Sequence, residues 1–312
     1  MPSSIEKKGR PILGEVEASA YKILSQNKMP IDIRGLFGDQ YGRGVINKDS
    51  AYVADLKKKF AKQNSPEENE IKKLAELFEM LLAQLVELEN WLGEDVFITE
   101  TSEFDDFRAG IDAVVEILRD GAFSHVGLAI DVTFSEKQLE KKLERIRDEI
   151  DYYELPKVKY FISQGGDFKG ELSNIPRVVV AVGRKDINEL ATLWLDIDFL
   201  RKRIHGKQTG AETDKLRVRL REAQAKLVNH PLQIEILAQI ELQIETFASY
   251  TTRKNKSRES EKFRNILSII RSIKAQKKEI ANRPMTKDWP MVSFRQVANT
   301  LDYLFPKPFS DF

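Results

Sequence analysis

The chain has 312 residues, of which 41% are hydrophobic and 32% charged, the balance of a soluble globular protein with enough apolar side chains for a sizeable core. Its formal net charge of +1 predicts no global attraction to nucleic acid or acidic membranes, so any such attraction must come from local patches. With no cysteine, disulfides and thiolate metal sites are excluded. No signal-peptide-like run opens the chain and no apolar stretch reaches about 18 residues, which sets a cytoplasmic expectation without membrane contact. His125, His205 and His230 form no metal-ligand spacing.

Residues 1–64 read as an irregular and partly helical N-terminal segment. Gly14–Gln26 is a candidate short helix, and the Gly-, Asp- and Arg-rich run 29–50 reads as irregular, with one short strand at Ile31–Ile33. Its glycines (Gly35, Gly38, Gly42, Gly44) fit neither a P-loop nor a dinucleotide fingerprint and are read as loop glycines. Ser65-Pro66-Glu67-Glu68 is a helix start, with a Ser N-cap and acids in the first turn. The spacing of Leu74, Leu77, Phe78, Leu81, Leu82, Leu85, Leu88 and Leu92 predicts a helix to about Leu92, ended by Gly93. Glu70 and Glu89 project within that stripe.

Asp95–Thr99 is the first expected strand, followed by an acidic loop, ETSEFDDFR. Ala109–Gln138 then reads as two apolar strands joined at the turn signal Asp120-Gly121 and leading into a helix. Each strand carries a carboxylate, Asp112 in the first and Asp131 in the second, and ionised carboxylates among apolar neighbours are costly. Two of them at about 4 Å repel by roughly 4 kcal/mol at an effective dielectric of 20, so either they are not neighbours or a cation lies between them. Ser135 is an N-cap candidate with Gln138 at the N3 position of a capping box. The helix that follows buries Leu139, Leu143, Ile146 and Ile150, flanked by Gln138 and Lys142. Val158–Ser163 and Arg177–Gly183 are further strands, and the β-α-β order implies a parallel, right-handed crossover.

From Asp186 onward no strand is expected. Glu189–Ile204, Ala211–Val228, Pro231–Tyr250 and Glu259–Ala281 all show helical spacing. The stretch 253–278 holds ten Lys or Arg against two acids, Glu259 and Glu261. The tail from Arg283, containing prolines and aromatics, reads as an extended segment.

Two carboxylates at one end of a sheet, with a backbone carbonyl and water, make an oxygen-rich site suited to Mg²⁺ or Mn²⁺. The order of elements and acids resembles the PD-(D/E)XK nuclease superfamily, the restriction-endonuclease-like fold. In GIDAVVEI, Asp112 matches the acid of the second strand. In AIDVT, Asp131 matches the acid of the third strand, and the Val132 carbonyl matches the main-chain metal ligand. Glu89 (or Glu70) matches the metal-binding acid that some branches place on the first helix, and Gln138 the glutamine of the crossover helix. Thr133 stands where the motif has lysine; Lys142 is the crossover-helix lysine that faces the sheet. The resemblance covers roughly residues 67–185.

The resemblance implies an α/β class: a restriction-endonuclease-like central mixed sheet flanked by helices, with an all-helical C-terminal extension. The expected organisation is 1–64, a nuclease-like core at 65–185, and a helical part at 186–312. The function expected is metal-dependent hydrolysis of DNA phosphodiesters, with Asp112, Asp131, Val132 and Glu89 as metal ligands and Lys142 and Gln138 in the catalytic set. The basic 253–278 helix would track phosphates, and the helical extension offers a homodimer interface. The alternative is a catalytically inactive protein of the same fold, acting as a nucleic-acid-binding or protein-interaction subunit.

Overall fold

The computed structural model describes residues 13–27, 31–119, 121–132, 136–152, 155–166, 168–206, 210–277, 280 and 292–306; for 27, 119, 122, 123, 127–132, 136, 137 and 292 it describes the backbone alone. Helices α1 (Glu15–Asn27), α2 (Ile33–Tyr41), α3 (Arg43–Gln63) and α4 (Pro66–Glu89) precede strand β1 (Val96–Glu100). Next come α5 (Glu103–Ala109), β2 (Ala113–Arg119), β3 (Ala122–Val132), α6 (Glu136–Tyr152), β4 (Val158–Ile162), β5 (Lys169–Leu172) and β6 (Arg177–Val182). Helices α7 (Arg184–Ile204), α8 (Ala211–Val228), α9 (Leu232–Arg253), α10 (Ser257–Gln276) and α11 (Val292–Leu304) complete the chain.

The expected α/β class with a central mixed sheet is corrected. Helices span 185 of the described residues and strands only 38. The strands form two small sheets, one ordered β1-β2-β3-β6 and one made of β4 and β5 alone. Two stretches read as irregular and one read as extended are helical, and Ile31–Ile33, expected as a short strand, instead leads into α2, which Ile33 opens. Residues in 29–50 form α2 and the start of α3, because Asp32 caps α2 by accepting the Arg34 N–H at 3.1 Å and Phe37, Ile46 and Val53 bury against Phe104 and Tyr160. Gly42, at φ +78°, separates the two helices. The acidic loop after β1 is α5, capped by Ser102. The tail expected to be extended contains α11, whose Val297, Leu301 and Leu304 are buried and whose following residue, Phe305, packs 5.2 Å from Phe247.

Helix α4 starts where its sequence signals place it but ends short of the expected Leu92–Gly93, and Leu88 of the expected apolar stripe is exposed. Ser65 and Glu68 form a reciprocal capping box with Pro66 in the first turn, and Asn90 in the left-handed region (φ 51°) closes the helix. Its Leu74, Leu77, Phe78, Leu81 and Leu85 pack into one large core with Ala113, Val115 and Ile117 of β2. Side chains of α1, α6 and every helix from α7 to α11 join the same core. Val114, pointing the other way, packs with Val158, Phe161 and Ile175 at the β4–β5 ribbon.

Strands β1, β2 and β3 pair antiparallel, and the crossover through α6 brings β6, not β4, into parallel pairing with β3. The outer edge of β6 is sealed by side chains. Gln239 of α9 accepts from the Ala181 N–H at 2.8 Å and donates to the Ala181 carbonyl at 2.9 Å. Gln243, one turn on, does the same for Val179 at 2.8 and 2.7 Å. Spaced by four on a helix and meeting residues spaced by two on a strand, the two amides complete an edge that would otherwise leave buried polar groups unmatched.

Candidate functional site

The candidate site lies at the end of the β2–β3 hairpin where β2 begins. Helix α5 ends at Gly110, in the left-handed region at φ +63°. A Cβ there would stand 2.7 Å from Arg145 Nη1 and 3.2 Å from Arg177 Nη1, and the positive φ favours glycine at this turn. Arg177, the first residue of β6 and buried, donates to the carbonyls of Ala109 and Gly110 and to Glu149 Oε1 at 2.8 Å. Arg145, on α6, donates to the Arg108 carbonyl at 2.8 Å and lies 3.3 Å from the same Glu149 oxygen. Two guanidiniums sharing one carboxylate thus clamp the turn that leads into Asp112. Burial lowers Arg177 to about 10, opposed by the charge of Glu149. Burial likewise pushes the Glu149 carboxyl up, opposed by Arg177 and Arg145. Arg177 therefore stays charged at neutral pH.

Asp112 is half-buried just before β2, where its negative charge acts on Arg177. Its carbonyl accepts the Thr101 N–H at 3.1 Å. Asp131 pairs with Ala181 of β6 and Val132 with Val182 along the backbone of β3; their side chains, and the whole of Thr133 and Ser135, lie outside the described residues. Lys142 is half-buried beside the Leu139–Leu143–Ile146 stripe of α6, and Gln138 is exposed. Glu89, the last residue of α4, has its carboxyl pushed up by burial and pulled down by Arg201 of α7. Glu70 instead accepts the Leu13 N–H at 3.2 Å. Among the described residues, no group of three His, Cys, Asp or Glu side chains is gathered closely enough to hold a metal ion, so Glu89 and Asp112 share no such group.

Glu116 shares the facing of Asp112 in the strand alternation of β2, and the sequence pattern gives it no role beyond that. It is fully buried: Oε1 accepts from Thr99 Oγ1 at 2.9 Å and from the Gln164 N–H at 3.0 Å. Oε2 lies 3.8 Å from Nε2 of His125, its register partner on β3, with no hydrogen bond among the described residues. A cleft of about 730 Å³ opens between α3, α5, α6 and β4. Its floor holds Lys159, whose ammonium sits 5.1–5.4 Å from the rings of Tyr41, Phe104 and Tyr160 and bonds to Asp49. Asp49 also accepts from the Tyr160 hydroxyl at 2.7 Å; burial and then Asp49 push that hydroxyl far above the ordinary tyrosine value.

The basic stretch 253–278 is heavily engaged within the protein. Arg271 and Lys274 bond to Glu241, with Arg271 also reaching Glu245. Lys254 pairs with Asp151, and Lys262 and Lys277 donate to the carbonyls of Asn174 and Asn90. Arg253 and Arg264 bond to the Pro306 carbonyl and Thr252 Oγ1. No helix among the described residues is long and apolar enough to cross a membrane. No family model, curated protein or solved structure matches the chain.

Proposed function

We propose that the chain is a divalent-metal-dependent nuclease that hydrolyses DNA phosphodiester bonds, its acids arranged as in the PD-(D/E)XK nucleases. The observation supporting this reading is the backbone register of the hairpin. Ala113 pairs with Leu128, so Asp112, one residue before β2, and Asp131, three residues past Leu128, lie at the same hairpin end. Two carboxylates there, with the Val132 carbonyl, form an all-oxygen donor set of the kind Mg²⁺ or Mn²⁺ takes. Such an ion supplies charge neutralisation at a phosphorus centre. Asp112 and Asp131 hold it in this reading, and Lys142 orients the attacking water and offsets charge on the phosphate. Gln138 stands exposed on the first turns of α6, where substrate would pass. A cytoplasmic location goes with this reading.

A second reading, an inactive subunit that binds nucleic acid, is favoured by Arg177, a fixed cation already in the field of Asp112. Thr133 in the position of the motif lysine favours it too. A Mn²⁺ titration read by thermal unfolding, paired with cleavage of supercoiled plasmid and single-stranded DNA, decides between the two. The nuclease reading expects Mn²⁺ to raise the melting temperature of the wild type but not of Asp131→Asn, and cleavage to vanish in Asp112→Asn and Asp131→Asn. DNA retention without cleavage at any Mn²⁺ concentration would leave the inactive subunit.

A further inference from the structure

A second surplus of positive charge lies away from α10, on the hairpin of α7 and α8. Residues 201–226 hold nine Lys or Arg against three acids, a net charge of +6 in a chain whose total is +1, so the remaining residues sum to −5. Counting Asp196 and Asp198, whose carboxylates pair into this region, still leaves +4. The ion pairs of α10 reach across to α9, whereas those here stay within the hairpin. Lys202 and Arg219 are 65% and 61% exposed, and their partners lie within the hairpin itself. Exposed pairs of this sort are worth about 0–1 kcal/mol each, so a phosphate replaces the carboxylate at little cost.

The cations are also arranged in line. Two cross-hairpin pairs, Arg219 with Asp196 and Arg203 with Glu212, put Arg203 of α7 and Arg219 of α8 on one side. Lys215 and Lys226 share the flank of Arg219 at 100° per residue. On α7, the Phe199 ring is half-exposed and lies 5.6 Å from the Arg203 guanidinium. The row runs toward an open groove of about 870 Å³ between the two helices, lined by Lys185 and Lys226 with Asn188, Thr192 and Asn229 and one acid, Glu189. Positive charge strung along two helices, with an aromatic ring beside it, suits an extended polyanion carrying planar bases and not a single phosphate. An anionic bilayer fits less well, since the large apolar side chains exposed on the hairpin are only Phe199 and Val218 among the described residues. The hairpin is anchored for this work at its base: Trp194 donates to Gln84 of α4 at 2.7 Å, and Trp91 to the Leu227 carbonyl at 3.1 Å.

We infer that the α7–α8 groove and the cation row of Arg203, Lys215, Arg219 and Lys226 bind the sugar–phosphate backbone of a nucleic acid. The choice of nucleic acid among polyanions rests on the function proposed above; the polyanion surface itself does not. The test uses the full chain, fluorescence anisotropy with a labelled 20-nucleotide strand and a 20-base-pair duplex across a salt series, and the triple variant Lys215→Gln/Arg219→Gln/Lys226→Gln. All three positions are exposed, and circular dichroism checks that the variant folds. Removing one cation that neutralises a phosphate lowers the slope of log K against log salt by about 0.7–0.9. The expected result is a slope lower by about 2–3 and an affinity at least about tenfold weaker, with Lys256→Gln/Arg258→Gln on α10 near wild type. An unchanged slope in the triple variant, weakened binding confined to the α10 variant, or binding to phosphatidylserine vesicles but to neither oligonucleotide would overturn the inference. Failure of the nuclease reading looks different: the wild type would bind with the full salt slope and never cleave.

Discussion

The edge of β6 gives the sharpest test of how the sheet is held. Replacing Gln239 with leucine puts an apolar side chain of similar bulk against the strand and removes one acceptor and one donor. The Ala181 N–H and carbonyl, now held at 2.8 and 2.9 Å, then lie buried with no partner, since Ala181 and Gln239 are both fully buried. Each orphaned buried polar group costs about 1–3 kcal/mol, so Gln239→Leu should destabilise by about 2–6 kcal/mol. Against the roughly 5–15 kcal/mol that holds a folded domain together, that is a large fraction. Gln243→Leu should cost a similar amount through Val179. Gln239 and Gln243 hold neighbouring residues of one short strand edge, so the double variant should depart from additivity, whereas the bond of Gln243 to the Gln239 main-chain carbonyl at 3.1 Å is lost with Gln243 alone. Urea unfolding of the two single variants and the double supplies the free energies, and hydrogen exchange of the Ala181 and Val179 amides supplies the mechanism. A loss below about 1 kcal/mol for each single variant, with the Ala181 amide as protected as in wild type, would show that the strand edge is satisfied by other means.

Two further outcomes follow from the buried charges and the buried histidine. Arg177→Met removes a guanidinium that serves Glu149 and the Ala109 and Gly110 carbonyls, and should cost about 3–5 kcal/mol, whereas Arg177→Met/Glu149→Leu should recover part of it, as chemical denaturation of the pair would show. His230 stacks 5.9 Å from Trp91, accepts the Leu232 N–H at Nδ1, and has its pKa lowered first by burial, with Glu189 opposing. Its folded pKa lies below the unfolded 6.5, so the unfolded chain binds the proton more readily: its stabilising effect is present above 6.5 and lost as pH falls through the folded value. Melting temperatures measured from pH 7 down to pH 5 should fall in wild type and fall less in His230→Asn; equal slopes would remove His230 as the cause.

Apolar periodicity alone makes the hairpin and the four helices from α7 to α10 legible, because each presents a run of side chains that must be buried on one face. The helices α2 and α3 are hidden by glycines at 35, 38 and 44, which read as loop signals, although burial of Phe37, Ile46 and Val53 outweighs the helix propensity those glycines lack. Strand β4 looks like the partner of the crossover and is not, because pairing order depends on packing between segments far apart in sequence. Glutamines 239 and 243 are illegible for a different reason. A polar residue on the buried face of a helix looks like an irregularity until the strand whose backbone it meets is known. For the site, the pattern marks Asp112, Asp131 and the facing of Glu116, but it carries no sign of Arg177, the cation on which the charge of Asp112 acts.

The two polar devices converge on the same few residues. Ala181, gripped on its outer side by Gln239, is the register partner of Asp131 in β3. Arg177, four residues earlier on the same strand, fixes the turn that delivers Asp112. Strand β6 therefore positions both acids, one through the parallel ladder and the other through a buried guanidinium. The Asp112 turn is held by charge and the Asp131 strand by neutral amides, so they respond differently to the same perturbation. Weakening the glutamine edge loosens Asp131 without changing the electrostatic field at Asp112. Removing Arg177 frees Asp112 of a competing cation while it loosens the turn. If the acids do share an ion, it is bound against the field of Arg177, and the strength of that opposition is set by how firmly β6 keeps the guanidinium in place.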